Sequence, residues 1–238
     1  MSRFQVRDVA REWLAEGDYV LTIKPEGKTS VSKSTIDRSK GVPYPTDKIN
    51  FAFPEIKIAE LDNGSKLYLL ERNDLPIVQM QVMFGGGYAI EGLEERGYVN
   101  FTMSMMDEGT KKYDALEFNE ILNSLGSGIG FGSSLDTTYG SLSSLKVNLE
   151  KTLDLFKEGL LNPVFKQAEI DRVKKQWLAR IDQSLNNPSA MANMSLRPLV
   201  YGADHPYGNP SSMGNKDSIS NLKREDLIKM HKKLTNPK

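Results

Sequence analysis

The sequence contains no cysteine and only two histidines, His205 and His231. Without thiols the chain forms neither disulfides nor thiolate metal sites, and it has no cysteine nucleophile. The two histidines are far apart in sequence, one beside a proline and one within a predicted helix. Because a zinc site needs several ligands close together, we expect both histidines to be structural.

Long apolar runs and an excess of either charge are also missing. No run approaches the roughly 20 apolar residues of a membrane-spanning helix. Lys+Arg and Asp+Glu both number 31, so nothing indicates a nucleic-acid or membrane-surface partner. The first residues mix apolar and charged side chains, unlike a secretory signal. The compartment therefore stays open, periplasmic or cytoplasmic.

The sequence contains hydrophobic patterns typical of strands and others typical of helices. Its 238 residues suit one sizeable domain with an appendage. Hairpins followed by long amphipathic helices predict an α+β fold, an antiparallel sheet with helices packed on one side. Gly85-Gly86-Gly87 lacks phosphate-loop spacing and a following lysine, so it predicts a turn. The predicted strands are 19–23, 56–61, 66–71, 77–84 and 140–145; the predicted helices are 4–15, 97–110, 115–125, 149–161, 167–185, 188–200 and 223–234.

The predicted helix at 97–110 is apolar on most sides and carries one polar stripe, formed by Asn100, Ser104 and Asp107. Polar groups on a buried helix need partners. Two interpretations follow: a core helix whose polar groups bond to neighbouring backbone, or a site helix related to one that holds a metal.

The second interpretation follows from the letters GYVNFTMSMMDEGT, which begin at Gly97. They resemble the site helix of the M16 (pitrilysin/insulinase-like) zinc peptidases, roughly G-L-A-H-F-x-E-H-M-x-F-x-G-T, which contains an inverted zinc motif. Further similarities occur in order along the chain: L-x-N-G at 61–64, G-T at 109–110, N-P at 162–163 and 187–188, and H-P-Y-G at 205–208.

The resemblance places four unsuitable residues at the functional positions. The two histidines of the motif fall at Asn100 and Ser104, its general-base glutamate at Met103, and the later glutamate ligand at Arg180. Neutral amides and hydroxyls are poor zinc ligands, a thioether accepts no proton, and a guanidinium cannot bind a cation. We therefore expect no catalytic residue and no metal ligand in this segment, with zinc held by a catalytic partner half.

The stretch from Gly126 to Asp136 resembles the family hairpin G-G-x-x-N-A-F-T-S-x-D-x-T. In catalytic members that edge strand pairs with extended peptide by strand addition. The resemblance makes Gly128, Ile129, Gly130 and Phe131 the candidate peptide-binding residues. The alternative is a flexible glycine hairpin that contacts nothing.

The resemblance also implies an organisation for the chain. Residues 1–25 resemble the closing helix and strand of a preceding M16 repeat, although an ordinary N-terminal extension is the alternative. Residues 26–53 have the composition of a linker. Residues 54–238 match an M16/LuxS-like domain, which we expect to be truncated at its C-terminus.

Together these features predict a non-catalytic M16 half that helps to enclose and bind peptide substrates. A catalytic M16 half, upstream in the same chain or on another subunit, would carry out zinc-dependent proteolysis. One alternative is a purely structural subunit with the M16 fold. The other is an unorthodox site built from Glu94, Glu95, Asp107 or Glu108, which has no nearby histidine.

Overall fold

The computed structural model describes residues 2–14, 21–22, 41 and 54–235. The chain divides into two compact units, Met1–Glu55 and Ile56–Lys238. In the first unit, helix α1 spans Arg3–Leu14 and its described side chains are exposed. The predicted strand at 19–23 and the predicted linker lie almost entirely outside the described residues.

The second unit begins with the predicted hairpin. Strands β1 (Ile56–Glu60) and β2 (Lys66–Leu70) pair antiparallel, with Ile58 opposite Tyr68. A separate antiparallel sheet contains β3 (Ile77–Gly85), β4 (Gly128–Ser133) and β5 (Thr137–Leu145) in the order β3-β5-β4. The strand predicted at 140–145 therefore begins earlier, since Thr138 and Tyr139 also pair with β4 and Thr137 pairs with Gly85 of β3.

The predicted helices are present in the second unit, and α4 and α5 have the predicted limits. Helix α4 ends at Leu161, immediately before the pair Asn162-Pro163, because proline disfavours a helical conformation in the residue before it. Asp114 starts α3 with a capping box that includes Glu117. The helices are α2 (Tyr98–Ser104), α3 (Ala115–Ser124), α4 (Leu149–Leu161), α5 (Gln167–Leu185), α6 (Pro188–Tyr201), α7 (Lys216–Asn221) and α8 (Arg224–Thr235).

The prediction of one helix over 97–110 was wrong at its C-terminal end. Helix α2 stops at Ser104, and tight turns follow, in which Met105 N–H donates to Thr102 and Met106 N–H donates to Met103. Gly109 then takes a φ of 122°, which favours glycine. Asp107 therefore lies in a turn beyond the helix that carries Asn100 and Ser104.

The core lies on one face of the three-stranded sheet. Successive side chains of a strand point to opposite faces of the sheet. Met80, Leu142 and Ile129 lie opposite one another on the three strands, and all three point into the core. Helices α2, α4 and α8 contact that sheet, and α5 adds its buried apolar side chains to the same core. The result is the predicted α+β fold, an antiparallel sheet with helices packed on one side. Within the described residues, no helix is long and apolar enough to cross a membrane.

Candidate functional site

The start of α2 is fixed by a carboxylate that lies before it in the chain. Glu91 accepts hydrogen bonds from the backbone N–H of Gly97 (2.9 Å) and Val99 (2.7 Å). Asn209 donates a longer bond of 3.4 Å to the same carboxylate. Burial raises the pKa of Glu91 to about 7, although the two backbone donors favour the charged form. No sequence pattern indicates this role of Glu91, because its contacts with Gly97 and Val99 form across a loop.

Asn100, at the position of the first family histidine, bridges three segments. Its Oδ1 accepts from the Ser133 hydroxyl at the end of β4, at 3.0 Å. Its Nδ2 donates to the Ser212 carbonyl, at 3.1 Å. Both ends of the amide are therefore used within the chain, as the first interpretation of the polar stripe requires.

The next two positions on α2 also have structural surroundings. Met103, at the general-base position, is only 2% exposed and belongs to the main core. The Ser104 hydroxyl donates to the Phe101 carbonyl of its own helix, at 2.8 Å. Asp107, in the turn beyond, has a pKa raised by burial. The position that would need a base is thus part of the apolar interior.

Helix α5 packs against α2 through aromatic side chains. The rings of Trp177 and Phe101 meet edge to face at 5.3 Å. The Trp177 indole N–H donates to the Met213 carbonyl, at 2.9 Å. Arg180, at the position of the last family ligand, is exposed and lies over the Trp177 ring at 6.0 Å. The helix that carries Arg180 therefore faces the helix that carries Asn100.

These donor atoms do not fit a hydrolytic zinc ion. Zinc takes imidazole, thiolate or carboxylate ligands, whereas these positions offer an amide, a thioether, a hydroxyl and a guanidinium. Two of the four acids of the unorthodox alternative are engaged elsewhere: Glu108 pairs with Arg172, and Glu95 lies 3.6 Å from Lys229. No group of three or more His, Asp or Glu residues in the described part of the chain is placed to hold a metal.

The candidate peptide-binding strand β4 lies at one edge of its sheet. It pairs with β5 alone among the described strands. Ile129 and Phe131 point into the core, and Phe131 stacks on Phe156 at 5.6 Å. Gly128 and Gly130 face the other way, beside Ser143 and Ser141. A shallow depression of about 520 Å³ lies there and also includes Gln79 and Gln81.

The turn between β4 and β5 is held from two sides. Gly86, Tyr88 and Ala89 donate backbone hydrogen bonds to the carbonyls of residues 136, 134 and 135, at 2.9–3.0 Å. The Tyr207 hydroxyl donates to both carboxylate oxygens of Asp136, at 2.8 and 2.9 Å. Tyr207 belongs to the H-P-Y-G motif at 205–208, and this contact gives that motif a structural role.

We predict that replacing Asn100 with alanine lowers the free energy of unfolding by about 1–2 kcal/mol, because Ser133 and the Ser212 carbonyl both lose their partner. Urea denaturation measures the change. Asn119→Ala is the matched control, since Asn119 is an exposed helical asparagine whose amide bonds only to Ala115 of its own helix. Equal changes for the two variants would contradict a bridging role for Asn100.

Comparisons with known proteins identify the family of this chain. The model of the family described as Insulinase (Peptidase family M16) matches residues 67–209. The non-peptidase homolog YmxG of Helicobacter pylori is 26% identical over 169 residues, which cover 71% of this chain and 39% of that protein. Zinc protease PqqE of the same organism is 25% identical over 192 residues, 78% of this chain and 42% of that protein.

A solved structure is also similar. The crystal structure of a peptidase M16 inactive domain from Pseudomonas fluorescens superposes with a TM-score of 0.70 and is 28% identical. The match covers 74% of this chain and 43% of that chain. The chain spans about two fifths of the length of the curated relatives that it matches.

Fold and site thus define a peptidase-type α+β domain in which the metal-binding positions carry other residues. The chain belongs to the insulinase, or M16, peptidase family. Its relatives include a protein named as a zinc protease and a protein named as a non-peptidase homolog. The similarity to a protein named as a non-peptidase homolog and to a peptidase M16 inactive domain agrees with the prediction of a non-catalytic M16 half.

Proposed function

We propose that this chain forms part of the non-catalytic half of an M16 peptidase and helps to enclose and bind extended peptides. A catalytic M16 half, in the same polypeptide or on another subunit, holds the zinc and cleaves the peptide. The observation that carries the proposal is that a predicted metal position is occupied by Asn100, whose side chain makes structural hydrogen bonds instead. Asn100 joins α2 to β4 and to the segment that contains Ser212, so the scaffold persists without the chemistry.

Two features support a peptide as the ligand. Strand β4 has one neighbour in its sheet, so its second edge offers backbone donors and acceptors to an added strand. Gly128 has open space where a side chain would project, which admits close approach of another backbone. The candidate residues Gly128, Ile129, Gly130 and Phe131 therefore supply an edge and an accessible face.

A purely structural or assembly role is the second candidate, and one observation favours it. Helix α6 has no buried residue and exposes several apolar side chains, with Leu199 82% and Val200 64% exposed. Contiguous exposed apolar surface commonly marks contact with another protein. This role predicts association without peptide binding.

The test measures peptide binding to the chain itself. The probes are fluorescein-labelled, uncharged, extended peptides of about ten residues. Fluorescence anisotropy measures their affinity, and hydrogen exchange locates the amides that they protect. We expect the peptide to protect amides in residues 128–133. Gly130→Pro is expected to weaken binding about tenfold or more, because proline lacks the N–H and disturbs the strand.

Gly92→Pro is the control for the proline itself. Gly92 already has a φ of −70° and open space where a Cβ would project, so proline fits there. Unchanged affinity in Gly130→Pro, or protection elsewhere than in β4, would remove the edge-strand proposal. No binding by the unaltered chain would favour the structural role. Stoichiometric zinc retained after dialysis would revive the unorthodox metal site.

A further inference from the structure

We propose that the contact between Tyr207 and Asp136 is a latch that positions the β4–β5 hairpin, and that it keeps the edge of β4 ready to accept a peptide strand. The inference rests on the proposed function, because it concerns the same edge strand. Tyr207 acts through the hairpin and makes no contact with the peptide, so it is a positioning residue.

The turn between β4 and β5 is held on its other side by the segment that follows β3. The segment 86–89 lies against the turn so closely that a Cβ on Gly87 would come within 2.2 Å of the Ser134 carbonyl oxygen. Three backbone hydrogen bonds join these two segments. They fix the backbone of the turn to the end of β3, so the Asp136 side chain is free to make a separate contact.

The side chain and the backbone of Tyr207 are held in place by Tyr201 and His205. Its ring meets Tyr201 and His205 edge to face, with centroids at 5.8 and 5.6 Å. The Tyr207 backbone N–H donates to His205 Nδ1, at 3.0 Å. The phenol therefore reaches Asp136 from an ordered loop, and a hydrogen bond to the carboxylate raises the pKa of Tyr207.

The loop that carries Tyr207, together with the end of α6 before it, is also joined to the segment 86–96 by two hydrogen bonds. Arg197 donates to the Tyr88 hydroxyl, at 2.8 Å, and Arg96 donates to the Ala203 carbonyl, at 2.7 Å. The turn, the segment 86–96 and the segment 197–207, which ends in the loop that carries Tyr207, thus form a closed triangle of contacts. Tyr207–Asp136 is the side of this triangle that joins the loop to the turn.

Tyr207→Phe tests the latch, since it removes the hydroxyl and keeps the ring. We expect amide exchange in residues 133–137 to rise and peptide affinity to fall about two- to fivefold, a modest change because the contact is exposed to solvent. Asp136→Ala should behave in the same way. Asp136→Asn should retain affinity near that of the unaltered chain, because its amide oxygen still accepts from Tyr207.

Tyr201→Phe is the matched control, because it removes a hydroxyl from the same aromatic group without touching Asp136. Equal exchange and affinity in Tyr207→Phe and the unaltered chain would overturn the latch, as would an Asp136→Asn variant as impaired as Asp136→Ala. The two proposals fail separately. If the unaltered chain binds no peptide, the proposed function fails, while the exchange of residues 133–137 still decides whether the latch holds the hairpin.

Discussion

Replacing Met103 with glutamate restores the residue that the peptidase motif requires, yet we expect it to destabilise the domain by about 4 kcal/mol at pH 8. Met103 is 2% exposed and packed in the main core, so the carboxylate would be ionised in apolar surroundings. Domains have a total stability of about 5–15 kcal/mol. Urea denaturation measures the loss, which should be smaller at pH 5, where the carboxyl is neutral.

Two controls separate burial from the change of residue. Met83→Glu places the same side chain on β3 at a position that is 62% exposed, and we expect a change within about 0.5 kcal/mol. Met103→Leu keeps an apolar side chain of similar volume and should cost less than about 1.5 kcal/mol. If Met103→Glu is as mild as Met83→Glu, the general-base position is accessible to water, and our account of it is wrong.

The sequence predicted the outer elements of the fold better than the region around α2. Helices α4 and α5 have a regular apolar face and clear ends, and their limits agree with the prediction. Helix α2 was predicted to run to Thr110, because its apolar residues continue past Ser104. Met105 and Met106 are buried, but in turns. Residues that are buried in a turn are as apolar as residues that are buried in a helix. The sequence alone therefore does not locate the C-terminal end of α2.

Two more features have weak local signals. Helix α7 is short and polar and was not predicted, although Asn215 and Ser218 form a capping box that marks its start. The segment 88–95, where the sequence predicted neither a helix nor a strand, contains two short 3-10 turns. Short elements of this kind bury little apolar surface, so hydrophobic periodicity does not reveal them.

At the candidate site, the sequence identified positions but not partners. The chemistry of Asn100 and Arg180 was enough to argue against a zinc site. Nothing in the sequence linked Asn100 to Ser133 and Ser212, or Tyr207 to Asp136, because these pairs are far apart along the chain and meet only through tertiary packing. The motifs H-P-Y-G and D-x-T were both visible, and their meeting is the new information that the structure adds.

The carboxylate that holds α2 predicts a dependence of stability on pH. Because the pKa of Glu91 is raised from its ordinary value of 4.5 to about 7, the folded state binds a proton that the unfolded state has lost between these values. Stability from this group is therefore fully present below about pH 4.5 and is lost as the pH rises through 7. At about 1.4 kcal/mol for each pKa unit, the loss is about 3 kcal/mol.

Denaturation with urea at intervals from pH 4.5 to 8.5 measures this slope, and Glu91→Gln is expected to flatten it. The glutamine side chain does not titrate, and its oxygen can accept from Val99 N–H, so the start of α2 keeps one of its two close bonds. Asp107 also has a pKa raised by burial, and its contribution has the same sign. The difference between the two chains therefore isolates Glu91, and equal slopes would show that its carboxylate is solvated in the folded state.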